Sequence, residues 1–497
     1  MRFQTSPADK SAEYLDHPYV KRTGFREYDA RWFLGRDLNY RGVQHIGQAL
    51  GTYLHDRFGL DEVVVGHDYR SYSQHVSFAL IAGLLRSGTD VADVGLGVSP
   101  MTYFAQHHLG VRGAAMVTAS HNPNGWTGVK MGYDLSRTFG PDEMAAFRDL
   151  ALGEGPLRDG RGGYRRVEGV RDAYLDDLTA GEPIARPLKV VVGTGNGTAG
   201  WFTPAALRRL GCQVIPLHER LDWDFPHGNP NPESEAFMGQ LRDAVLAEGA
   251  DLGIGLDGDG DRIGVADARG ARVFSDKLGL VLARWLASQV EGARIVVDVK
   301  CTALFNDRGV LDADVVWEKT GHSYIKAAVH REQATAGFER SGHFFFNAPF
   351  GRAYDDASLA AIHLVRMLDQ TGRPLHELLG ELPVTHQSPT LQPHVADEVK
   401  YDVVDALVRS YRDDQQAGRQ VGGRDIARLV TINGARVELD DLGWLLVRAS
   451  SNTPQLVVIA ESKTGPEQVR SLVEDANRRL AAHDAVDRAA LESYLAG

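Results

Sequence analysis

Three aspartates at alternate positions, Asp257, Asp259 and Asp261, stand in the stretch LDGDGDRIGV with glycines between them. Alternate side chains of an extended chain point the same way, and the glycines let the loop curl until the carboxylates converge. Carboxylates packed in this way repel one another unless a cation sits among them. Mg2+ suits such hard oxygen ligands and leaves positions open for phosphate. An EF-hand is excluded: its sixth position would be Arg262 where Gly is needed, and its twelfth Ala268 where Glu is needed. A merely solvated acidic turn fits poorly, because the segment follows an apolar strand.

Three further segments carry chemistry. In TASHNP, at 118–123, Ser120 sits at the end of the apolar strand GAAMVTA, and Asn122 with Pro123 turns the chain. A capping serine is the plain alternative; a hydrolase elbow is excluded because Ala119 and His121 flank Ser120 in place of G-x-S-x-G. KTGHSYIK at 319–326 and GFERSGH at 337–343 crowd Lys, His, Glu and Ser into short loops, a mixture suited to hydroxyl groups, while a solvated loop is an equal alternative for either taken alone. In RASSNTP, at 448–454, Arg448 is followed by Ser450, Ser451, Asn452 and Thr453. A guanidinium fork beside turn amides and hydroxyls is what a phosphate dianion needs.

One motif competes. GNGTAG at 195–200 is a literal G-x-G-x-x-G after a strand, with Glu219 downstream, the form of a dinucleotide fingerprint. It is weak alone, since the corresponding strand ends elsewhere in the chain lack such glycines.

These loops need elements to hold them. A continuous apolar strand, a polar loop, a helix and a second strand recur three times, beginning at VVVG (63–66), VVVG (190–193) and IVVD (295–298). In the first repeat the helix runs through Phe78, Ile81, Leu84 and Leu85 to Gly88. Strands apolar throughout and alternating with helices indicate parallel sheet buried on both faces, with ligand loops at the strand C-termini. Beyond about residue 383 the pattern becomes neighbouring strands, VTINGARVEL, GWLLVRAS and QLVVIAES, followed by an amphipathic helix; Asp413 to Gly423 reads as a solvated loop. The expected fold is α/β: three similar α/β domains of mixed, mainly parallel sheet plus a C-terminal α+β domain, around a central cleft. The expected divisions are an N-terminal mobile arm at 1–24 and domains at 25–165, 166–268, 269–382 and 383–497.

Composition narrows the class. The chain has 497 residues, 43% hydrophobic and 24% charged, with 54 glycines and a net charge of −12. That length predicts several domains, and that charge argues against nucleic acid held by a general positive field. An anionic substrate would need local cations. Cys212 and Cys301 are too few for a disulfide framework and point to a reducing compartment. With no long apolar run and no secretory h-region, the expectation is a cytoplasmic protein without a membrane partner.

In this order the four segments resemble the α-D-phosphohexomutase superfamily, and within it the bacterial phosphomannomutase/phosphoglucomutase branch. The likeness runs from FREYDAR at 25–31 to the helix ending near 483, and DVKCT at 298–302 adds to it. The resemblance implies reversible transfer of a phosphoryl group between the 1- and 6-positions of a mannose or glucose phosphate, through phosphoserine and a hexose 1,6-bisphosphate that is both intermediate and activator. Ser120 would carry the phosphoryl group and supply an oxygen to one Mg2+, held also by Asp257, Asp259 and Asp261. Arg31, Lys130 and His322 match catalytic groups, with Lys130 and His322 both candidates for the general base. Tyr28, Arg262, Lys300, His322, Glu339, Ser341 and His343 match the substrate cleft, and Arg448, Ser450, Asn452 and Thr453 the distal phosphate loop. The chain departs from the family pattern at Trp32, His67, Thr127, Phe338, Ser451 and Asn452. A phosphoglucosamine mutase and a non-catalytic phosphosugar-binding protein are the alternatives. A hexose phosphate is the expected partner, and monomer and dimer are both open.

Overall fold

The computed structural model describes residues 12–451 and 453–496. Four sheets follow one another along the chain. In the first, the order is Ala30–Phe33, Trp126–Asp134, Gly113–Val117, Glu62–His67, Asp90–Leu96 and Tyr164–Arg166, with Arg137–Thr138 paired to one side. The second runs Arg272–Val273, Ile263–Asp267, Leu252–Leu256, Lys189–Gly193, Gln213–Leu217, and the third Asp314–Glu318, Arg294–Asp298, Ala336–Phe338, Phe344–Phe346. The fourth is wholly antiparallel: His386–Gln387, Leu456–Ser462, Trp444–Ala449, Ala435–Leu439, Ile426–Val430. Three mixed α/β units and an α+β unit are thus the observed architecture.

The repeat has a common core. Strands 62–67, 189–193 and 294–298 each lie beside a second strand in parallel: 113–117, 252–256 and 336–338 respectively. Each of those second strands then turns back and pairs antiparallel with the next, 126–134, 263–267 and 344–346. TASHNP, DGDGDR and ERSGH are therefore the same turn in three successive units. Val63, Val64 and Val65, like Val190, Val191 and Val192, have no exposed surface, because helices cover both faces. Burying each such side chain contributes roughly 1.5–3 kcal/mol, so the strands that end in these loops are stiff supports.

A helix at Ser99–Leu109 joins the first three units. Its Val98, Met101 and Phe104 region packs into one apolar cluster with Tyr174, Phe202, Leu256 and Phe338. The C-terminal unit has its own core, and a small cluster of Val299, Ala303, Trp444, Leu446, Val457 and Ile459 joins it to the third.

Three local expectations change. Residues 1–11 lie outside the described residues, but part of the expected arm is packed: Tyr19 and Val20 are buried, and Tyr19 N–H donates to Asn39 Oδ1 at 3.0 Å. Phe78 is half exposed; the buried face of helix Ser73–Arg86 is Val76, Leu80, Ile81 and Leu84. Asp413 to Gln416 are the last turn of helix Lys400–Gln416, anchored where Asp414 accepts from Arg419 at 2.5 Å and pairs with Arg479.

Candidate active site

Ser120 is buried at the turn after strand Gly113–Val117, with φ +51°. A non-glycine residue in the left-handed region is held there by its surroundings. Its N–H donates to Thr118 Oγ1 at 2.8 Å, while Thr118 Oγ1 and Ala119 N–H donate to Asp68 Oδ2 at 2.9 and 3.2 Å. Arg70 reaches across the loop and donates to the carbonyls of Ser120 (2.9 Å), Asn122 (2.7 Å) and Pro123 (3.3 Å). The Ser120 hydroxyl donates to Asp257 Oδ2 at 2.9 Å and lies 3.1 Å from His121 Nδ1.

The aspartate loop closes against this turn. A Cβ on Gly258 would come within 2.5 Å of Ser120 O, so only glycine permits the approach. GNGTAG packs behind it, with Thr198 N–H donating to Gly258 O at 3.0 Å. Glu219 is taken by Arg208 through two 2.7 Å hydrogen bonds. The motif is a buttress of the aspartate loop.

Asp257, Asp259 and Asp261 are completely buried, and their ligand oxygens lie within 4.8 Å of one another. Asp257 Oδ1 accepts from the N–H groups of Asp261 and Arg262 at 3.1 and 3.2 Å. Asp259 Oδ2 accepts from Ser99 Oγ at 2.6 Å and Lys130 Nζ at 2.7 Å; Lys130 also pairs with Asp261. Burial first, then Asp261 and Asp259, push Asp257 well above the usual carboxylate range. Burial pulls Lys130 down, but Asp259 and Asp261 override it and hold the ammonium well above its ordinary value. Asp259 Oδ1 and Asp261 Oδ1 are buried and accept no hydrogen bond. Two idle acceptors in an all-oxygen cluster suit a hard divalent ion better than a lysine alone.

On the facing wall, Arg262 Nε donates to His343 Nε2 at 2.9 Å. His343 Nδ1 pairs with Asp355 at 2.9 Å, and the buried Lys326 pairs with Asp355 at 2.8 Å. Glu339 accepts from Gly321 N–H at 3.0 Å and from Ser341 Oγ at 2.7 Å. His322 opens helix His322–Arg331 under the Tyr28 ring, 4.9 Å between centroids. Burial, with Lys326 second, holds His322 well below the usual imidazole range, and its Nε2 is buried with no hydrogen-bond partner. Arg31 is paired with Asp29 at 2.8 Å, and Lys300 lies 3.5 Å from Asp298 Oδ2.

In the C-terminal unit Arg448 is buried and donates to Ser451 Oγ at 3.1 Å. Ser450 Oγ and Thr453 Oγ1 are 2.8 Å apart, and Lys400 Nζ donates to the carbonyls of Ser450 and Thr453 at 2.7 and 3.2 Å. Asn452 lies outside the described residues. One cleft of about 930 Å³ takes in Tyr28, Arg31, Ser120, Lys130, Asp261, Arg262, Lys300, His322, Glu339, Ser341, His343, Arg448, Ser450 and Thr453. Asp257 and Asp259 lie buried beneath that floor. Each of the four units contributes a loop.

Four family models match this chain in order: phosphoglucomutase/phosphomannomutase α/β/α domain I at 22–152, domain II at 172–270, domain III at 274–386 and the C-terminal domain at 398–479. The chain belongs to this family. The likeness read from TASHNP and DGDGDR is thereby borne out, and the chain is an enzyme of the phosphohexomutase class. It is 34% identical over 458 residues to a phosphomannomutase/phosphoglucomutase of Pseudomonas aeruginosa, covering 91% of this chain and 94% of that one. A phosphoglucomutase of Neisseria gonorrhoeae is 30% identical over 453 residues, covering 90% and 94%. A crystal structure of a phosphoglucomutase/phosphomannomutase family protein from Burkholderia thailandensis superposes with a TM-score of 0.84 at 30% identity, covering 94% and 100%.

Two departures of this phosphohexomutase fall away from the cleft. Trp32 is buried over Gly24, its Nε1 donating to Lys21 O at 2.8 Å, and Phe338 sits in the core against Phe344 and Gly279. Sequence reasoning missed Asp68, Arg70 and Ser99. Asp68 and Arg70 sit in the loop HDYRSYS after a strand end, and Ser99 in a Ser-Pro helix start; those placements were the available signals.

Proposed function

We propose that the enzyme moves a phosphoryl group between the 1- and 6-positions of mannose or glucose phosphate, with Ser120 as its carrier. The observation that carries this reading is the 2.9 Å contact of Ser120 Oγ with Asp257, within one cleft that also holds Arg448. Asp257, Asp259 and Asp261 would hold Mg2+, with phosphorylated Ser120 adding an oxygen. When bound, the ion neutralises charge on the phosphoryl oxygens, the main electrostatic demand of phosphoryl transfer.

The chain's own groups do the rest. The Arg448 loop takes the existing phosphate of the substrate, while Glu339 and Ser341 take sugar hydroxyls. The free sugar hydroxyl attacks phosphorus on Ser120; its O–P bond forms as the Ser120 O–P bond breaks. The hydroxyl proton passes to His322 or Lys130, and the departing Ser120 Oγ takes up a proton in turn, returning to the hydroxyl that donates to Asp257. His322 enters the cycle neutral with Nε2 open, as a base requires. Lys130, paired with Asp259 and Asp261, is held as an ammonium by those carboxylates and would serve as a base only if their charge were taken up by another cation. The 1,6-bisphosphate so formed then reverses within the cleft and returns its other phosphoryl group to Ser120. Arg31, Arg262, Lys300 and His343 line that cleft, where Lys300 and His343 would meet the sugar.

No helix among the described residues is long and apolar enough to cross a membrane. Cys212 and Cys301 are free buried thiols, which suits a cytoplasmic site. Incubation of the purified chain with mannose 1-phosphate, Mg2+ and catalytic hexose 1,6-bisphosphate, followed by 31P NMR, tests the reaction. Appearance of the 6-phosphate supports it; binding of the sugar phosphate without conversion points to a binding protein.

A further inference from the structure

Arg436 has no exposed surface, although it is a permanent cation. Its side chain leaves strand Ala435–Leu439 of the C-terminal sheet and enters a slot between Trp444 and Trp317, with Cζ 4.0 and 4.1 Å from the two ring centroids. Trp317 belongs to the third unit. Nε pairs with Glu438 Oε1 at 2.8 Å, and Nη2 is buried without a hydrogen-bond partner. Nη1 donates to Val299 O at 2.6 Å and Cys301 O at 2.9 Å. One guanidinium thus grips the carbonyls on both sides of Lys300, from another domain.

The grip continues into the cleft. Arg436 stands opposite Leu446 and Ala435 opposite Val447 in the hairpin whose second strand ends at Arg448 and Ala449. Gly434 lies so close to that strand that a Cβ there would come within 2.4 Å of Val447 O and 2.8 Å of Arg448 Cα. Arg448 and Arg436 are therefore two arms of one stiff hairpin. Arg448 faces the cleft, and Arg436 holds the Lys300 backbone. Lys277 reinforces the joint, donating to Thr302 Oγ1 at 3.0 Å and to Glu461 Oε1 at 2.8 Å, while Trp444 Nε1 donates to Glu461 Oε2 at 2.6 Å. Burying a cation at such a seam is costly unless its partners are fixed. Any movement of the C-terminal unit carries the 299–301 backbone with it or breaks two hydrogen bonds.

We propose that Arg436 is a positioning residue that couples anion capture at Arg448 to the placement of Lys300. The proposal rests on the phosphate-loop reading above. Phosphate held by Arg448 fixes the hairpin, the hairpin fixes the carbonyls of Val299 and Cys301, and Lys300 is set against the same ligand. Such coupling is reciprocal: a sugar held at Lys300 raises affinity at Arg448.

Hydrogen exchange on the full chain, wild type and Arg436→Met, with and without inorganic phosphate, tests it. Met fills the slot between the tryptophans but donates nothing. Phosphate is expected to slow exchange at 448–451 in both proteins, and at 299–303 in the wild type only. In steady state, Arg436→Met is expected to raise KM for glucose 1-phosphate about tenfold with kcat changed less than about threefold. Equal slowing at 299–303 in both proteins, or none in the wild type while 448–451 is protected, overturns the coupling. No protection at 448–451 in the wild type removes the phosphate-loop reading and the coupling with it. Should Arg436→Met fail to fold, Arg436→Lys, whose compact ammonium replaces the planar fork, serves in its place and is expected to lose part of the response at 299–303.

Discussion

Ser120 Oγ and Asp257 Oδ2 are 2.9 Å apart, across 137 residues of chain and the seam between two α/β units. The contact is made by two copies of one structural device, the turn that follows a parallel strand and leads into an antiparallel one. Ser120 and the acidic triad meet because those two turns face each other, with Gly258 removing the bulk between them.

Ser120→Ala removes one hydroxyl and leaves the Asp68 and Arg70 bonds to the loop backbone in place. The variant is expected to unfold like the wild type and to lose turnover by roughly a thousandfold or more. Near wild-type conversion of glucose 1-phosphate would show that Ser120 is not the carrier.

Asp259→Asn removes the charge that faces Lys130 and Ser99. Titration calorimetry is expected to show Mg2+ affinity falling by about tenfold or more, about 1.4 kcal/mol, while metal-free binding of glucose 1-phosphate changes little. Equal losses in both titrations would mean that metal and phosphate share one site.

Arg448→Ala deletes a buried guanidinium that lines the cleft where the distal phosphate is proposed to dock. A hydrogen bond to a charged group contributes about 1.5–3 kcal/mol, so KM should rise roughly ten- to hundredfold for mannose and glucose 1-phosphates alike. Phosphorylation of Ser120 by hexose 1,6-bisphosphate should still occur. An unchanged KM would place the distal phosphate elsewhere.

Glu339 and Ser341, whose hydroxyl donates to Glu339 at 2.7 Å, present an acceptor and a donor/acceptor suited to neighbouring hydroxyls such as the 3- and 4-positions. Those are alike in mannose and glucose, so kcat/KM for the two 1-phosphates should agree within roughly tenfold, about 1.4 kcal/mol. Both should fall together in Glu339→Ala. A marked preference for glucosamine 1-phosphate would contradict this, and Phe338, buried in the core, offers no steric reason for one.

His363 supplies a pH dependence of stability. Burial first, and Arg366 after it, lower its pKa from 6.5 to about 4. The unfolded chain takes up a proton below about 6.5 that the folded chain refuses until about 4, so stability is full above 6.5 and falls as pH drops through that window, by about 3 kcal/mol in all. Urea midpoints for His363→Gln between pH 7.5 and 4.5 should decline less steeply than the wild type's; parallel slopes would contradict this.

Much of the site is legible in the residues themselves. Asp257, Asp259 and Asp261 advertise convergence through their spacing and glycines, and the threefold recurrence of apolar strands places their loop at a strand end. Asp68, Arg70 and Arg436 are not legible in that way. They act through backbone carbonyls and N–H groups far along the chain, and a residue that binds backbone leaves no partner type in the sequence. Phe78 misleads for a related reason: helical spacing marks a stripe, but an exposed aromatic on its edge looks the same as a buried one. Asp413 to Gln416 read as a loop because their polarity hides helix contacts made by Asp414 with Arg419 and Arg479.

The central claim is that Ser120 carries the phosphoryl group. The measurement is the intact mass of the purified chain after incubation with hexose 1,6-bisphosphate and Mg2+, with fragmentation to locate any modification. One added phosphoryl group on Ser120, lost on addition of excess glucose 1-phosphate and absent from Ser120→Ala, is the predicted result. A chain that stays unphosphorylated yet interconverts glucose 1-phosphate and glucose 6-phosphate, or a phosphoryl group on another residue, would contradict it.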